Sequence, residues 1–331
     1  MCRTLELGVC GTDREILHSA APWTPPGESR LILGHECLAR IEHAGDGVTS
    51  VGPGDLVVPV VRRALPGMTR RVDLLPFGSF TERGIVCEHG FSQPLWLDRP
   101  EYLFRVPAEI ADLAVLAEPL AVSEKAVNEA LLLTQARLGP DAWTAAAPPR
   151  VVVTGMGPIG FTAVLAGVAR GWPATMLGRD EPQTFRAALV ERLGGAYLPL
   201  DGADAPADIE RDGYDLLVEC TGSDEVLLRA ASLVRSCGAI AWLGSSRVPR
   251  PATLNLQRLM REGLLRNHLH IGCVNAAPRD FRDALAHLEL LSRDRRADLA
   301  ALVTARVPIE EALWHYEHRQ PQGIKTVVMY S

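Results

Sequence analysis

The sequence has seven cysteines but no Cys-x-x-Cys pair, so any metal site must be assembled from single residues far apart in the chain. The cysteines, at 2, 10, 37, 87, 220, 237 and 273, are odd in number and scattered, which suits reduced thiols better than a disulfide framework. No run approaches the roughly 18 consecutive apolar residues that span a bilayer. The first residues also lack a basic stretch followed by an apolar core, and we expect a cytoplasmic protein with no membrane partner. An excess of positive charge is missing as well. With a formal net charge of −6 and no long basic run, only short clusters such as Arg62-Arg63 and Arg70-Arg71 that read as solvated loop charges, a nucleic-acid groove is not expected, because phosphate binding depends on clustered Lys and Arg.

What is present is ordinary globular material: 47% hydrophobic and 22% charged residues, which excludes a disordered or collagen-like polymer. At 331 residues the chain is long for one core, and two domains are the default expectation. Up to about Val60 the pattern is short and Gly-punctuated. Apolar runs at Arg30 to Leu33 and Leu56 to Val60, with turn chemistry at Ala44-Gly45-Asp46-Gly47 and Val51-Gly52-Pro53-Gly54-Asp55, predict a β-rich module with hairpins. Residues 61–100 show no sustained period and read as a long loop followed by irregular strands. From Glu118 to Leu138, Leu120, Val127, Ala130, Leu131 and Leu132 fall at helical spacing.

Beyond Arg150 the pattern changes. Apolar runs at Val151 to Thr154, Ala174 to Leu177, Tyr214 to Cys220 and Ala239 to Leu243 alternate with helical stretches at Phe161 to Arg170 and Thr184 to Leu193. Strand–helix alternation of this kind predicts an α/β fold with a doubly wound parallel sheet. A strand at Leu269 to Val274, a helix from Pro278 to Ser292 and a last strand at Lys325 to Met329 follow. The expected division is 1–120 for the β-rich domain, 121–290 for the dinucleotide-binding domain, and 291–331 for a segment returning to the first.

The apolar strand Val151-Val152-Val153-Thr154 feeds directly into Gly155-Met156-Gly157-Pro158-Ile159-Gly160. In this G-x-G-x-x-G fingerprint Gly155 permits the turn, Gly157 lets backbone approach a pyrophosphate, and Gly160 allows close helix packing. An unrelated Gly-rich turn is the bland alternative, and the strand-to-helix placement argues against it. At the end of the next strand, Gly178-Arg179-Asp180 stands where an NAD site carries an acid for the ribose 2′-hydroxyl. A guanidinium at 179 suits a 2′-phosphate and points to NADP, while Asp180 could serve the ribose and keeps NAD open. Thr221, just after the Tyr214 to Cys220 run, joins the candidate cofactor residues.

Gly8-Val9-Cys10-Gly11-Thr12-Asp13 and Gly34-His35-Glu36 place a thiol, an imidazole and a carboxylate in Gly-bounded turns of one small module. Glu118-Pro119-Leu120 offers another carboxylate. Such donors suit zinc. Singly each has a dull reading: Cys10 as a small buried hydrophobe, His35 as a hydrogen-bonded core residue, Glu36 as surface charge. Together they are harder to dismiss.

With these motifs in order, and with Gly54-Asp55-Leu56-Val57-Val58-Pro59, Phe80-Thr81-Glu82-Arg83-Gly84-Ile85, His89-Gly90-Phe91 and Val274-Asn275-Ala276, the chain resembles the zinc-containing medium-chain dehydrogenases of the alcohol dehydrogenase superfamily. Within them it is most similar to the glucose 1-dehydrogenase-like branch. The resemblance covers nearly the whole chain and implies a GroES-like catalytic domain joined to a Rossmann domain. It implies that Cys10, His35 and Glu36 ligate or border a catalytic zinc, with Glu118 near the fourth position and Asp13 orienting the His35 ring. Thr12 would relay the substrate proton, Asn275 would lie near nicotinamide and substrate, and Glu82 and Glu118 would face the substrate. The implied reaction is hydride transfer between a secondary alcohol, polyol or sugar-like substrate and NADP(H), in a homodimer or homotetramer.

Three departures qualify the likeness. Relatives carry four closely spaced cysteines for a structural zinc, but Arg62 to Phe80 contains none, so one catalytic zinc and no structural zinc is expected. Val61 and Val122 occupy positions that are polar or acidic in sugar-specific relatives, which shifts the expected substrate away from glucose itself. Nine residues precede the Cys-Gly-Thr-Asp motif, fewer than in relatives, so the first strands of the module are expected to be missing: either this start lies too late, or the module is pared down with an exposed sheet edge. Two competing readings remain in view: a redox-neutral epimerase or lyase with transient hydride transfer, and a non-catalytic dinucleotide-binding protein. The joint presence of Cys10, Thr12, His35, Glu36 and Glu118 argues against the second.

Overall fold

A computed structural model describes residues 1–245 and 255–330. The chain folds as two units, Met1–Ala121 together with Asn275–Ser331, and Val122–Val274. In chain order the first unit contributes β1 (Cys2–Gly8), α1 (Gly11–Leu17), β2 (Glu36–Ile41), β3 (Leu56–Pro59), β4 (Arg62–Ala64), β5 (Phe80–Arg83), β6 (Cys87–Glu88), β7 (Leu95–Trp96) and β8 (Leu103–Arg105). The unit boundary falls within α2 (Ala117–Leu138). The second unit holds β9 (Val151–Thr154), α3 (Pro158–Ala169), β10 (Ala174–Gly178), α4 (Phe185–Arg192), β11 (Ala196–Pro199), α5 (Ile209–Asp212), β12 (Tyr214–Glu219), α6 (Asp224–Ala231), β13 (Val234–Trp242), α7 (Leu256–Leu265) and β14 (Leu269–Gly272). The chain then returns to the first unit with α8 (Pro278–Ala300), β15 (Val303–Pro308), α9 (Ala312–Glu317) and β16 (Lys325–Met329).

The main sheet of the first unit runs β15-β16-β1-β2-β3-β8, with β7 also on β1. Because β16 and β2 flank β1, the first strand is internal and the exposed edge expected there is not found. Leu7, Cys37, Ala39, Val57, Phe91 and Val328 form its buried core. Arg30 to Leu33 forms no strand. That segment is instead held by the amides of Gly90 and Ser92, which donate to Ile32 and Leu33 carbonyls. Helix α8, expected in part within the nucleotide domain, belongs to the first unit, where Phe281 stacks on Phe104 with ring centroids 5.9 Å apart.

Residues 61–100 are more ordered than their lack of period implied. A three-stranded sheet, β4-β5-β6, is pinned by a buried Arg62 whose Nε lies 2.8 Å from Glu82 and whose guanidinium caps the Phe80 ring at 3.9 Å. Arg62 also donates to the Asp73 carbonyl, and Asp73 in turn pairs with Arg71 at 2.6 Å. Charge pairing and stacking thus hold this segment.

The second unit is a six-stranded parallel sheet in the order β11-β10-β9-β12-β13-β14. The first strand, β9, lies at the centre, between β10 and β12. This is the doubly wound order in which the connections reverse direction beside the first strand, leaving a crevice beyond the carboxyl ends of β9 and β12. Val152, Leu177, Leu217 and Ile240 are buried across it, as continuous apolar strands in a two-faced sheet require. In α2 the apolar stripe holds at Leu120, Val127 and Ala130, all fully buried, whereas Leu132 faces solvent at 51% exposure. No helix among the described residues is long and apolar enough to cross a membrane.

Candidate metal and dinucleotide sites

Register brings the first site together. In the β1–β2 ladder Gly8 faces Glu36, so the turn after β1, carrying Cys10, lies beside the residues that open β2. Gly8 has to lack a side chain, because a Cβ there would overlap the Glu36 carboxylate. The turn carrying His35 is equally constrained. Gly34 has φ of +90°, and added Cβ atoms at Gly84 and Gly90 would run into its backbone. The glycines flanking the chemistry are therefore a packing requirement of the two turns.

Asp13 ties those turns to each other. Its Oδ2 accepts the Cys10 amide at 3.0 Å, its Oδ1 accepts the Gly34 amide at 3.3 Å, and Oδ1 also lies 3.2 Å from His35 Nδ1. Asp13 and His35 are buried and Cys10 is half-buried. Donor atoms of Cys10, His35 and Glu36 lie within 4.8 Å of one another, the neighbourhood of a single small cation with bonds of about 2.0–2.3 Å. His35 Nδ1 and Glu36 Oε2 make no regular hydrogen bond and are held by charge, one against Asp13 and the other against the Lys325 ammonium. A half-buried thiol gathered with a buried imidazole and a buried carboxylate is a donor set that fits a zinc ion.

Burial disfavours the charged form of His35, but the charges of Asp13 and Cys10 outweigh it and hold the imidazole pKa well above its usual value. Burial pushes the Glu118 carboxyl up to about 7, against the pull of His35. Glu118 lies outside the three-donor group, yet the charges of His35, Glu36, Lys325 and Asp13 all bear on it. Thr12 follows in the first turn of α1, half-buried. Glu82 Oε1 accepts from both Arg62 Nε and Asn275 Nδ2, each at 2.8 Å, and Asn275 holds a left-handed φ of +60° while its Oδ1 accepts the Ala276 amide.

Lys325 is the residue that sequence reading missed. It is 1% exposed, pairs with Glu36 and donates to the Val9 carbonyl at 3.1 Å. Burial opposes its charge, but Glu36 and Cys10 raise its pKa. The available signal was a lysine opening an otherwise apolar strand.

In the second unit the fingerprint has the expected local form. Gly155 has φ of +95°, Gly157 precedes the first turn of α3, and Pro158 opens that helix. A Cβ at Gly160 would overlap the Gly155 carbonyl, which explains the third glycine. Gly178 packs on the Met156 side chain, bringing the end of β10 against the fingerprint loop, with Ile159 in the first turn of α3. Thr221 is the nearest neighbour of a Cβ at Gly155, at 3.0 Å. It is held by Glu219, a further residue without a sequence signal, whose buried carboxylate accepts from Thr154 Oγ1 at 3.1 Å, the Thr221 amide at 2.7 Å and the Gly222 amide at 3.1 Å.

Arg179 is exposed just past β10. Arg186 grips the Asp180 carboxylate, with Nε at 2.7 Å and Nη2 at 2.6 Å.

A family model described as the alcohol dehydrogenase GroES-like domain matches residues 2–93, and one described as the glucose dehydrogenase C-terminus matches residues 111–330. Glucose 1-dehydrogenase 2 of Vulcanisaeta moutnovskia is 35% identical over 333 residues, covering 99% of this chain and 90% of that protein. Glucose 1-dehydrogenase of Thermoproteus tenax is 36% identical over 311 residues, covering 94% and 86%. Among solved structures, the glucose dehydrogenase of Haloferax mediterranei in complex with NADP, Zn and gluconolactone superposes with a TM-score of 0.82 at 27% identity, covering 100% of this chain and 91% of that one.

Proposed function

The chain belongs to the zinc-containing medium-chain dehydrogenases, in their glucose dehydrogenase-like branch, and is an enzyme acting on CH–OH groups; from that premise we propose that it oxidises a sugar-like or polyol secondary hydroxyl with NADP as hydride acceptor. The observation that carries this reading is the group of half-buried Cys10 with buried His35 and Glu36, with Glu118 beside it. Cys10, His35 and Glu36 would hold the zinc, and Glu118 would stand near the fourth position. When bound, zinc supplies positive charge that stabilises negative charge developing on a substrate oxygen, and NADP supplies the acceptor for the hydride.

The chain's own residues then have distinct tasks. Asp13 fixes the His35 ring through Nδ1, leaving Nε2 as the free donor. Lys325 balances the Glu36 charge in a place that water does not reach. Thr12 Oγ1 takes the substrate proton and passes it on toward solvent. Asn275 and Glu82, joined by a hydrogen bond, form a rigid polar edge for substrate hydroxyls. A buried Val61, where sugar-specific relatives are polar, argues for a substrate other than glucose itself.

Metal analysis of the purified chain, combined with NADP(H) and NAD(H) titration before and after chelation, tests the reading. About one zinc per chain with tighter NADP(H) binding is expected, followed by turnover in a polyol and sugar screen. Folded, cofactor-binding protein without zinc would remove the metal-assisted mechanism and favour a non-catalytic dinucleotide-binding protein. Substrate turnover with no net change in nicotinamide absorbance would favour the epimerase or lyase reading.

A further inference from the structure

The Rossmann unit contains a charge arrangement that the fingerprint alone does not explain. At the end of β10, next to the fingerprint loop, stand a cation and an anion in sequence, Arg179 and Asp180. These two residues ask for opposite cofactors. An exposed guanidinium favours a 2′-phosphate, and a carboxylate at the same place favours a ribose diol and repels phosphate.

A third residue resolves the conflict. Arg186, in the first turn of α4, engages both oxygens of Asp180 in a fork, at 2.6 and 2.7 Å. The two side chains are only 13% and 10% exposed, so solvent screens the pair weakly. The grip is built in from both sides. Thr184 caps α4 by accepting the Ala187 amide at 3.3 Å, and this fixes the turn that carries Arg186. From β11, the Tyr197 hydroxyl donates to the Asp180 carbonyl at 2.5 Å, so the Asp180 backbone is tied down as well. With Asp180 neutralised and unable to turn outward, the net charge of the three side chains is positive and lies at Arg179.

We propose that Arg186 is a positioning residue for cofactor selection: by holding the Asp180 carboxylate it removes the ribose acceptor and leaves Arg179 to receive the 2′-phosphate of NADP(H). This rests on the NADP(H) reading above and names the residue behind it. Without Arg186 the Asp180 carboxylate is released, recovers its capacity to accept ribose hydroxyls, and repels a dianionic phosphate within a few ångströms.

The test is fluorescence titration of NADPH and NADH against the full chain and its variants. Arg186→Leu is expected to lower the NADPH-to-NADH affinity ratio by about tenfold or more, with NADH binding maintained or improved. Asp180→Asn in the Arg186→Leu background is expected to recover most of the NADPH affinity, a rescue that a merely structural role for Arg186 would not give. Asp180→Asn alone, which keeps the fold testable if Arg186→Leu does not, is expected to retain the wild-type preference. A ratio unchanged in Arg186→Leu, no rescue in the double variant, or selective loss of NADH binding in Asp180→Asn would each overturn the role of Arg186 while leaving a wild-type preference for NADPH standing. A wild-type chain that binds NADH as tightly as NADPH would overturn the cofactor reading itself, and this inference with it.

Discussion

Oδ1 of Asp13 lies 3.2 Å from Nδ1 of His35, with both side chains buried and the same carboxylate accepting backbone amides from Cys10 and Gly34. One carboxylate thus holds both the His35 ring and the spacing of the two turns that carry Cys10 and His35. A second oxygen partner behind a ligating imidazole raises its basicity and restricts its rotation.

Asp13→Asn tests that double duty. The amide retains one acceptor oxygen for three positions that the carboxylate now serves, and its NH2 faces donors. Zinc affinity should fall about 10- to 100-fold, measured by competition with a chelating dye, while the metal-free protein loses about 1–3 kcal/mol from unsatisfied amides. Unchanged zinc affinity would show that His35 is not oriented through Asp13.

Much of this is legible in the amino-acid sequence alone. The parallel unit could be read because its strands are continuous apolar runs separated by helical spacing, and the fingerprint glycines announce a turn only glycine can make. Cys10, His35 and Glu36 were legible as residue types in Gly-bounded turns. The glycine that admits Glu36, Gly8, became meaningful only once the β1–β2 register placed it opposite. The roles of Lys325 and Glu219 were not legible, because they depend on partners 289 and 65 residues away, as Lys325 pairs with Glu36 and Glu219 with Thr154. The pairing of Asp180 was not legible for the same reason: nothing in the local sequence says that Arg186 will engage it. The β4-β5-β6 sheet escaped notice because charge pairs and a stacked guanidinium, not an apolar alternation, hold it.

Lys325→Met leaves Glu36 as a buried carboxylate without its counter-ion. Breaking one side of such a pair costs about 3–5 kcal/mol. A divalent cation beside Glu36 replaces the lost charge, so the variant should be strongly destabilised after chelation and much less so when zinc-loaded. Thermal unfolding with and without chelator reads the difference. Equal destabilisation in both states would mean that the metal does not share the Glu36 charge.

Gly8→Ala and Gly11→Ala form a matched pair. A Cβ at Gly8 meets the Glu36 side chain, whereas at Gly11 it meets nothing within 4 Å. The first change should cost about 1–3 kcal/mol and weaken zinc binding as Glu36 is displaced, and the second should leave both within error. Denaturant unfolding together with metal retention after dialysis separates them, and a silent Gly8→Ala would contradict the ladder register.

The last prediction concerns pH. Folding raises the pKa of His35 well above 6.5 through Asp13 and Cys10, against the effect of burial, and burial raises that of Glu118 from 4.5 to about 7. Both groups therefore bind a proton more tightly in the folded chain than in the unfolded one. For His35 the stabilising contribution is complete below 6.5 and is lost as pH rises through the folded value. For Glu118 it is complete below 4.5 and lost as pH approaches and passes about 7. The metal-free protein should accordingly lose stability, relative to the zinc-loaded protein, as pH rises from about 5 to 8; taking the difference between the two forms cancels the titration of groups far from the site. Zinc replaces these protons, so its affinity should climb with pH, by about tenfold per unit for each proton displaced. Chelator competition at intervals from about pH 6 to 8 measures the slope. A flat profile would mean that neither His35 nor Glu118 gives up a proton when zinc binds, and would remove both from the set of groups that zinc engages.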